Sequence, residues 1–242
     1  MNRVLLSVLL LLPAMSRADD FDVAVIGAGT AGIPAALAAA RIGVRTILLE
    51  RGDAIGGTMA QASVETPGLF HVGGRQVIAG PGWELVSNAC IRSGFRLPKF
   101  SRPAGEDCRR HQVRIRGRVY VALAQLALKR AGVEVRTNTE VVGVFRTENG
   151  WRLAGGGGTV EARQIVDCTG NASVAALCGA MREREDVCQP GSYFYWIDPG
   201  CDLKTIDADG LNAAFVKAVE EGKVKETDCV GRPPYLCLGK MS

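Results

Sequence analysis

A chain of 242 residues, 47% of them hydrophobic, can bury one large core or two smaller ones. Its formal net charge of +4 is mild, and apart from the run between Arg109 and Arg118 its basic residues are spread out, which argues against a nucleic-acid partner. Its apolar run at residues 4–12 is about half the roughly 20 residues of a membrane span, so no stable span is expected.

Residues 1–18 read as a secretory signal. Arg3 gives a basic start, Pro13 ends the apolar run, and Ser16-Arg17-Ala18 offers small residues at the cleavage spacing. The expected localisation is therefore periplasmic or secreted, with a cytoplasmic protein keeping an apolar leader as the alternative. Export would permit disulfides among the eight cysteines, but their spacing shows neither CxxC nor a zinc pattern, and no metal site is expected. Cys168 and Cys178 fall in an apolar strand and a small-residue helix and read as buried thiols.

The stretch that follows, DVAVIGAGTAGIPAALAAARIGVRTILLE from Asp22 to Glu50, organises the chain. A buried parallel strand at 23–26 runs into Gly27, Gly29 and Gly32 in GxGxxG spacing, then a small-residue helix at 30–42 and a second strand at 44–49. In this order Gly27 allows the tight turn, Gly29 lets the backbone approach a pyrophosphate, and Gly32 lets helix and strand pack closely. The helix N-terminus offers N–H groups to the phosphates, and Glu50 at the tip of the second strand suits a ribose 2′-hydroxyl. Arg51 and the glycine doublet Gly56-Gly57-Thr58 come next.

From about 60 to 117 the strand–helix rhythm is lost. His71, Arg75 and Gln76 stand in a glycine-rich loop, and 83–90 reads as a short helix. His71 is the candidate proton-transfer group, since an imidazole titrates near neutrality. Arg75 suits an anionic group. Residues 99–118 are basic and read as a solvated crossing loop, in which His111 has no recognisable partner. Order returns with a helix at 119–131 and a third parallel strand at 133–137. A meander follows at 141–145, 151–153 and 159–162, with Asn149-Gly150 as a hairpin turn. A buried strand at 164–168 then leads into Thr169-Gly170-Asn171 and a helix at 173–178.

GAGTAG, the ER-x4-GGT run and IVDCTGNASVAALCG together resemble the FAD-dependent oxidoreductases of the glutathione-reductase-type FAD/NAD(P)-binding superfamily. The resemblance covers about residues 21–200 and includes EDVCQPGSYFYWID, similar to the opening of the family's substrate-side sheet. It implies FAD as cofactor, with Gly27, Ala28, Gly29, Thr30, Ala31 and Gly32 on the pyrophosphate, Glu50 on the ribose and Arg51 on the neighbouring AMP moiety. It further implies that Gly56, Gly57 and Thr58 approach the flavin side, that Val141 offers backbone groups to adenine, and that Thr169-Gly170 closes the site. Asn171 stands where the family often carries aspartate, and an amide can hydrogen-bond similarly. The family's C-terminal return to the flavin is not seen before Ser242, as expected of a truncated member.

The expected fold is α/β: a Rossmann-like three-layer FAD/NAD(P)-binding domain with a β-meander, plus an incomplete substrate-side α+β region. Its divisions are 1–18 (signal), 19–62 (first FAD-binding segment), 63–117 (substrate-side insertion), 118–180 (second FAD-binding segment) and 181–242 (start of a substrate domain). The expected activity is hydride transfer from a small-molecule substrate to the flavin, with reoxidation by oxygen or another acceptor. No CxxxxC pair follows the doublet and no second complete GxGxxG occurs, which disfavours a disulfide reductase and a built-in nicotinamide domain. The alternatives are a nucleotide-binding remnant without turnover and an NAD-dependent dehydrogenase, which Glu50 permits. Oligomeric state is not legible.

Overall fold

A computed structural model describes residues 19–101, 108–183 and 207–223. The leader, residues 185–198 and the C-terminal residues after 223 lie outside the described residues, as do Cys188, Cys201, Cys229, Cys237 and the side chain of Cys108. The chain divides after Arg182 into two compact units.

In the first unit β1 (Asp19–Ile26), α1 (Gly32–Arg41) and β2 (Thr46–Leu49) form the expected βαβ unit. β1 and β2 run parallel, in register from Val23 with Thr46 to Ile26 with Leu49. Every residue of β2 is buried, because helices cover one face of the sheet and the meander with a short helix covers the other. Between β2 and the next strand of the sheet lie α2 (Gly57–Gln61), the small hairpin β3 (His71–Val72) and β4 (Arg75–Gln76), α3 (Pro81–Arg92), a 3₁₀ turn at Cys108–His111, and α4 (Gly117–Arg130). β5 (Glu134–Arg136), β6 (Val141–Thr147), β7 (Gly150–Gly155), β8 (Gly158–Asp167) and α5 (Ser173–Leu177) complete the unit.

The six-stranded sheet has the order β5-β2-β1-β8-β7-β6. Its first four strands are mutually parallel, and β8-β7-β6 is an antiparallel meander. The first core cluster gathers Val25 and Leu48 of the sheet with Ile33, Leu37, Val86, Tyr120 and Leu128 of α1, α3 and α4. The second lies on the opposite face and gathers Ala24, Ile26, Ile47 and Leu49 with Leu153, Val160 and Val174. In the second unit α6 (Ala208–Glu220) begins on Asp207, whose carboxylate accepts the Gly210 N–H at 2.9 Å.

Four details depart from the expectations. Residues 159–162 and 164–168 are one strand, β8, because its early residues pair with β7 while Val160 to Asp167 pair with β1. That strand is not buried on both faces, since Val166 is exposed. The loop around His71 contains a hairpin turning on Gly73-Gly74. Cys178 is exposed, because only Val174 of the short α5 reaches the core. Among the described residues no helix is long and apolar enough to cross a membrane, and no group of three His, Cys, Asp or Glu could hold a metal ion.

Candidate functional site

The βαβ turn is a cradle made of backbone. Gly27 has φ +99°, and a Cβ there would stand 2.4 Å from the carbonyl oxygen of Cys168, so no side chain fits. A Cβ on Gly32 would stand 1.8 Å from the Gly27 carbonyl oxygen, a contact that seats α1 directly on the turn. At Gly29 the situation is reversed: the nearest atom to a Cβ there would be the Gly57 Cα, 3.9 Å away. Ala31, the N-cap of α1, has no side chain that can cap. Among the described residues the N–H groups of Gly29, Thr30 and Ala31 meet no acceptor. They stand at the positive end of a helix dipole, with space in front of Gly29.

The glycine doublet closes on this turn. Gly56 donates its N–H to the Ala28 carbonyl at 2.8 Å, and a Cβ on Gly57 would stand 2.8 Å from the Gly29 Cα. Gly57 therefore packs backbone against backbone on the phosphate turn, and Thr58 is exposed beside it. Glu50 is drawn in from the other side. Its Oε2 accepts the Ala28 N–H at 2.7 Å and its Oε1 the Gly52 N–H at 2.9 Å. Each carboxylate oxygen keeps a second lone pair for another donor. The strand end is tied on its far side by Glu50 N–H to the Arg136 carbonyl (2.8 Å), Thr139 N–H to the Glu50 carbonyl (2.8 Å) and Asn138 N–H to the Gly52 carbonyl (2.7 Å). These bonds bring the segment leading to Val141 against the tip of β2, while Arg51 is exposed.

Thr169-Gly170 lies at the end of β8, next to the β1 end that carries Gly27. The Thr169 hydroxyl donates to Asp167 Oδ1 at 2.7 Å and accepts the Ser173 N–H at 2.9 Å. Asp167 also takes the Thr169 N–H on Oδ1 and the Ala175 N–H on Oδ2, both at 2.9 Å. Burial works against its charge, yet the hydrogen bonds from Thr169, Ala175 and Val174 outweigh it and hold the carboxyl below its ordinary range. Asp167 is the site residue that sequence reasoning missed. Its signal was an acid at the end of an apolar strand, directly before Cys-Thr-Gly. The neighbouring Cys168 thiol is pushed up by burial and by Asp167, so it stays protonated.

His71 lies in an aromatic cluster. Its ring stacks on Phe100 at 3.7 Å and 7°, meets the Trp83 ring edge-on at 5.1 Å, and buries Nδ1 without a partner. Burial, and then the neighbouring His111, lower its pKa, leaving the imidazole neutral at pH 7. His111 is buried and approaches Phe100 at 5.7 Å. Arg75 is exposed, and Gln76 donates to the Ile78 carbonyl at 2.9 Å, so this pair does not converge with His71 on one point. A cavity of about 530 Å³ opens beside β5, lined among others by Asp53, Ile55, Leu128 and Lys129. It contains none of the turn residues, so we place the site on the turn, where unpaired donors and an open glycine coincide.

This parallel βαβ unit, with an uncapped helix N-terminus over an open glycine and an acid on the second strand, defines a dinucleotide-binding protein of the Rossmann class. The chain belongs to the FAD dependent oxidoreductase family, whose model matches residues 22–226. FAD is that family's cofactor, and the donor set of the turn fits its pyrophosphate. Over 93 residues the chain is 43% identical to the mitochondrial 5-taurinomethyluridine-tRNA synthase subunit MTO1 of Macaca fascicularis, covering 38% of this chain and 13% of that protein. Over 86 residues it is 44% identical to the Mus musculus protein of the same name, covering 35% and 12%. It thus spans about an eighth of the length of these curated relatives. Among solved structures it is similar to glycine oxidase from Geobacillus kaustophilus, at 17% identity and TM-score 0.48, covering 67% of this chain and 59% of that one. It is also similar to the myxobacterial chondrochloren halogenase CndH, at 24% identity and TM-score 0.46, covering 64% and 38%.

Proposed function

We propose that this chain holds FAD on the βαβ turn and works as an oxidoreductase, taking a hydride from a small-molecule substrate and passing the electrons to oxygen or another acceptor. Bound FAD would supply the hydride-accepting chemistry. The chain's own residues bind and orient. The N–H groups of Gly29, Thr30 and Ala31 hold the pyrophosphate against Gly27, Ala28 and Gly32. Glu50 accepts from the ribose, Arg51 serves the AMP phosphate, and Gly56, Gly57 and Thr58 flank the turn. Val141 offers backbone groups to adenine, and Thr169-Gly170 closes the cleft, held by Asp167. His71 is the proton-transfer group of this reading. Residues 1–18 serve as an export signal, which N-terminal sequencing of the exported protein tests.

One observation carries the reading: unpaired N–H groups beside a glycine whose front is open. The test is a visible absorption spectrum of purified protein before and after adding FAD. Flavin bands that stay with the protein through gel filtration support the reading, and a colourless protein that takes up no FAD refutes it. His71→Phe keeps a ring on Phe100 and removes the titratable nitrogens. Turnover that survives this change takes His71 out of the chemistry.

A second reading is favoured by the two relatives named as subunits of a tRNA-modifying synthase. On it the substrate is a base carried by RNA rather than a free small molecule. Comparing flavin reduction by small donors with and without added RNA separates the two.

A further inference from the structure

The fold assembles a basic strip that sequence spacing hides. Residues 92–96 and 112–118 lie side by side: the Arg116 N–H donates to Ser93 Oγ at 3.0 Å, and the guanidiniums of Arg114 and Arg116 lie over the Phe95 ring at 4.7 and 5.7 Å. Residues 112–116 are extended. The Val113 N–H donates to the Pro67 carbonyl and the Ile115 N–H to the Glu65 carbonyl, each at 2.9 Å, and both side chains are fully buried. Alternation therefore turns Arg114 and Arg116 to the opposite face, about 7 Å apart along the segment. Arg118 follows in the first turn of α4, Arg92 ends α3, and Arg96 comes directly after Phe95.

Arg92, Arg96, Arg116 and Arg118 are all exposed, and among the described residues none of them forms an ion pair. Within residues 85–133 the acids are Glu106 and Asp107 alone, and both lie outside the described residues. Glu65 brings one carboxylate to the end of the strip, where Oε1 accepts the Gly117 N–H at 2.6 Å. Stacking on Phe95 holds the Arg116 guanidinium plane in place, which leaves its N–H edge to serve as a fork.

From this arrangement we infer that the strip is a docking surface for the phosphate backbone of a nucleic acid, bound without base readout. A protein interface centres on exposed apolar and aromatic anchors. Here Phe95 lies under guanidiniums, and Ile91 is the one exposed large apolar side chain between residues 79 and 125 among those described. Nucleic-acid interfaces are instead strongly positive and rest on arginine forks to phosphate oxygens. The strip shares no residue with the FAD cradle, and the inference does not use the FAD reading.

The probe is a labelled single-stranded RNA of mixed sequence, followed by fluorescence anisotropy on the full chain, with a thermal melt and the flavin spectrum recorded for each sample. Four arginine contacts, from Arg92, Arg96, Arg116 and Arg118, predict a slope of about −2.8 in log K against log salt, a loss of roughly fiftyfold between 50 and 200 mM. Arg116→Gln with Arg118→Gln should flatten the slope by about 1.4 and weaken binding by about tenfold at 100 mM salt, as should Arg92→Gln with Arg96→Gln. Arg163→Gln, a highly exposed arginine on β8, should bind like wild type. Wild-type affinity and slope in both double variants, with unchanged melts, overturn the inference. So does displacement of the RNA by poly-glutamate at equal charge, which would mark an acidic protein, or binding to anionic vesicles in preference to RNA. Wild-type protein that binds RNA yet shows no flavin spectrum after added FAD would count against the FAD reading alone.

Discussion

Replacing Glu50 with alanine separates what its carboxylate does for the fold from what it does for the cofactor. In the folded chain the carboxylate takes two charge-assisted hydrogen bonds, from Ala28 N–H at 2.7 Å and Gly52 N–H at 2.9 Å. Ala28 is fully buried, so water does not replace the lost acceptor there. A stranded buried donor costs about 1–3 kcal/mol, while the half-buried Gly52 N–H regains water and costs less. The expected loss is about 2–3 kcal/mol, which for a unit of this size lowers the melting temperature by about 5–10 °C. The assay is a thermal melt of FAD-free protein, so no cofactor contact contributes. A separate FAD titration of Glu50→Ala, read by flavin fluorescence, should show affinity weakened by about 10- to 150-fold, the worth of one hydrogen bond to a charged group. An apo melt within 1 °C of wild type (about 0.3 kcal/mol) would refute the structural half of this reasoning. Unchanged FAD affinity would refute the ribose half.

Gly29→Ala should leave the apo melt within about 1 kcal/mol of wild type, since its Cβ meets only ordinary contacts, yet cut FAD affinity by filling the cradle. Gly32→Ala should instead prevent or severely impair folding, because its Cβ would collide with the Gly27 carbonyl; soluble yield and circular dichroism check both. Asp167→Ala strands the Thr169 and Ala175 N–H groups and should cost about 2–3 kcal/mol in a urea melt. Because the folded Asp167 carboxyl titrates below its unfolded value, its stabilisation is present above about pH 4 and lost as pH falls through the folded pKa. His71 is likewise lowered, so its contribution is present above about pH 6.5 and lost as pH falls below that. His71→Phe should therefore melt with a smaller decline between pH 8 and pH 5 than wild type.

The βαβ unit was legible because everything that makes it is local. Strand, turn glycines, helix and second strand follow one another from Asp22 to Glu50, and each glycine answers a steric demand set by near neighbours. What escaped depends on residues far apart in the chain. His71 stacks on Phe100, and nothing near His71 announces a ring 29 positions on. Arg163 stood between two expected strands, whereas β8 runs through it because β1 pairs on both sides of it, with Ala162 and with Gln164. The bond from the Thr169 hydroxyl to Asp167 is local, yet it depends on α5, whose Ser173 N–H the same hydroxyl accepts. The doublet, expected to approach the flavin side, also packs its Gly57 backbone against Gly29 of the phosphate turn.

That last contact explains how a long stretch can leave the dinucleotide fold and return without disturbing it. The stretch departs at the end of α2 and rejoins at Gly117, where a Cβ would stand 2.4 Å from the Met59 carbonyl oxygen in that same helix. Three hydrogen bonds join its two ends: Val113 N–H to the Pro67 carbonyl, Ile115 N–H to the Glu65 carbonyl, and Gly117 N–H to Glu65 Oε1. Exit and entry are therefore one place, and the loop between them can vary in length at little entropic cost to the turn. At its other end α2 rests on Gly29 through Gly57 and on Ala28 through the Gly56 N–H. One five-residue helix is thus held at one end by the phosphate turn and at the other by the neck of the inserted stretch. A displacement of that neck acts on Gly29 through two backbone contacts, with no side chain between them to absorb it.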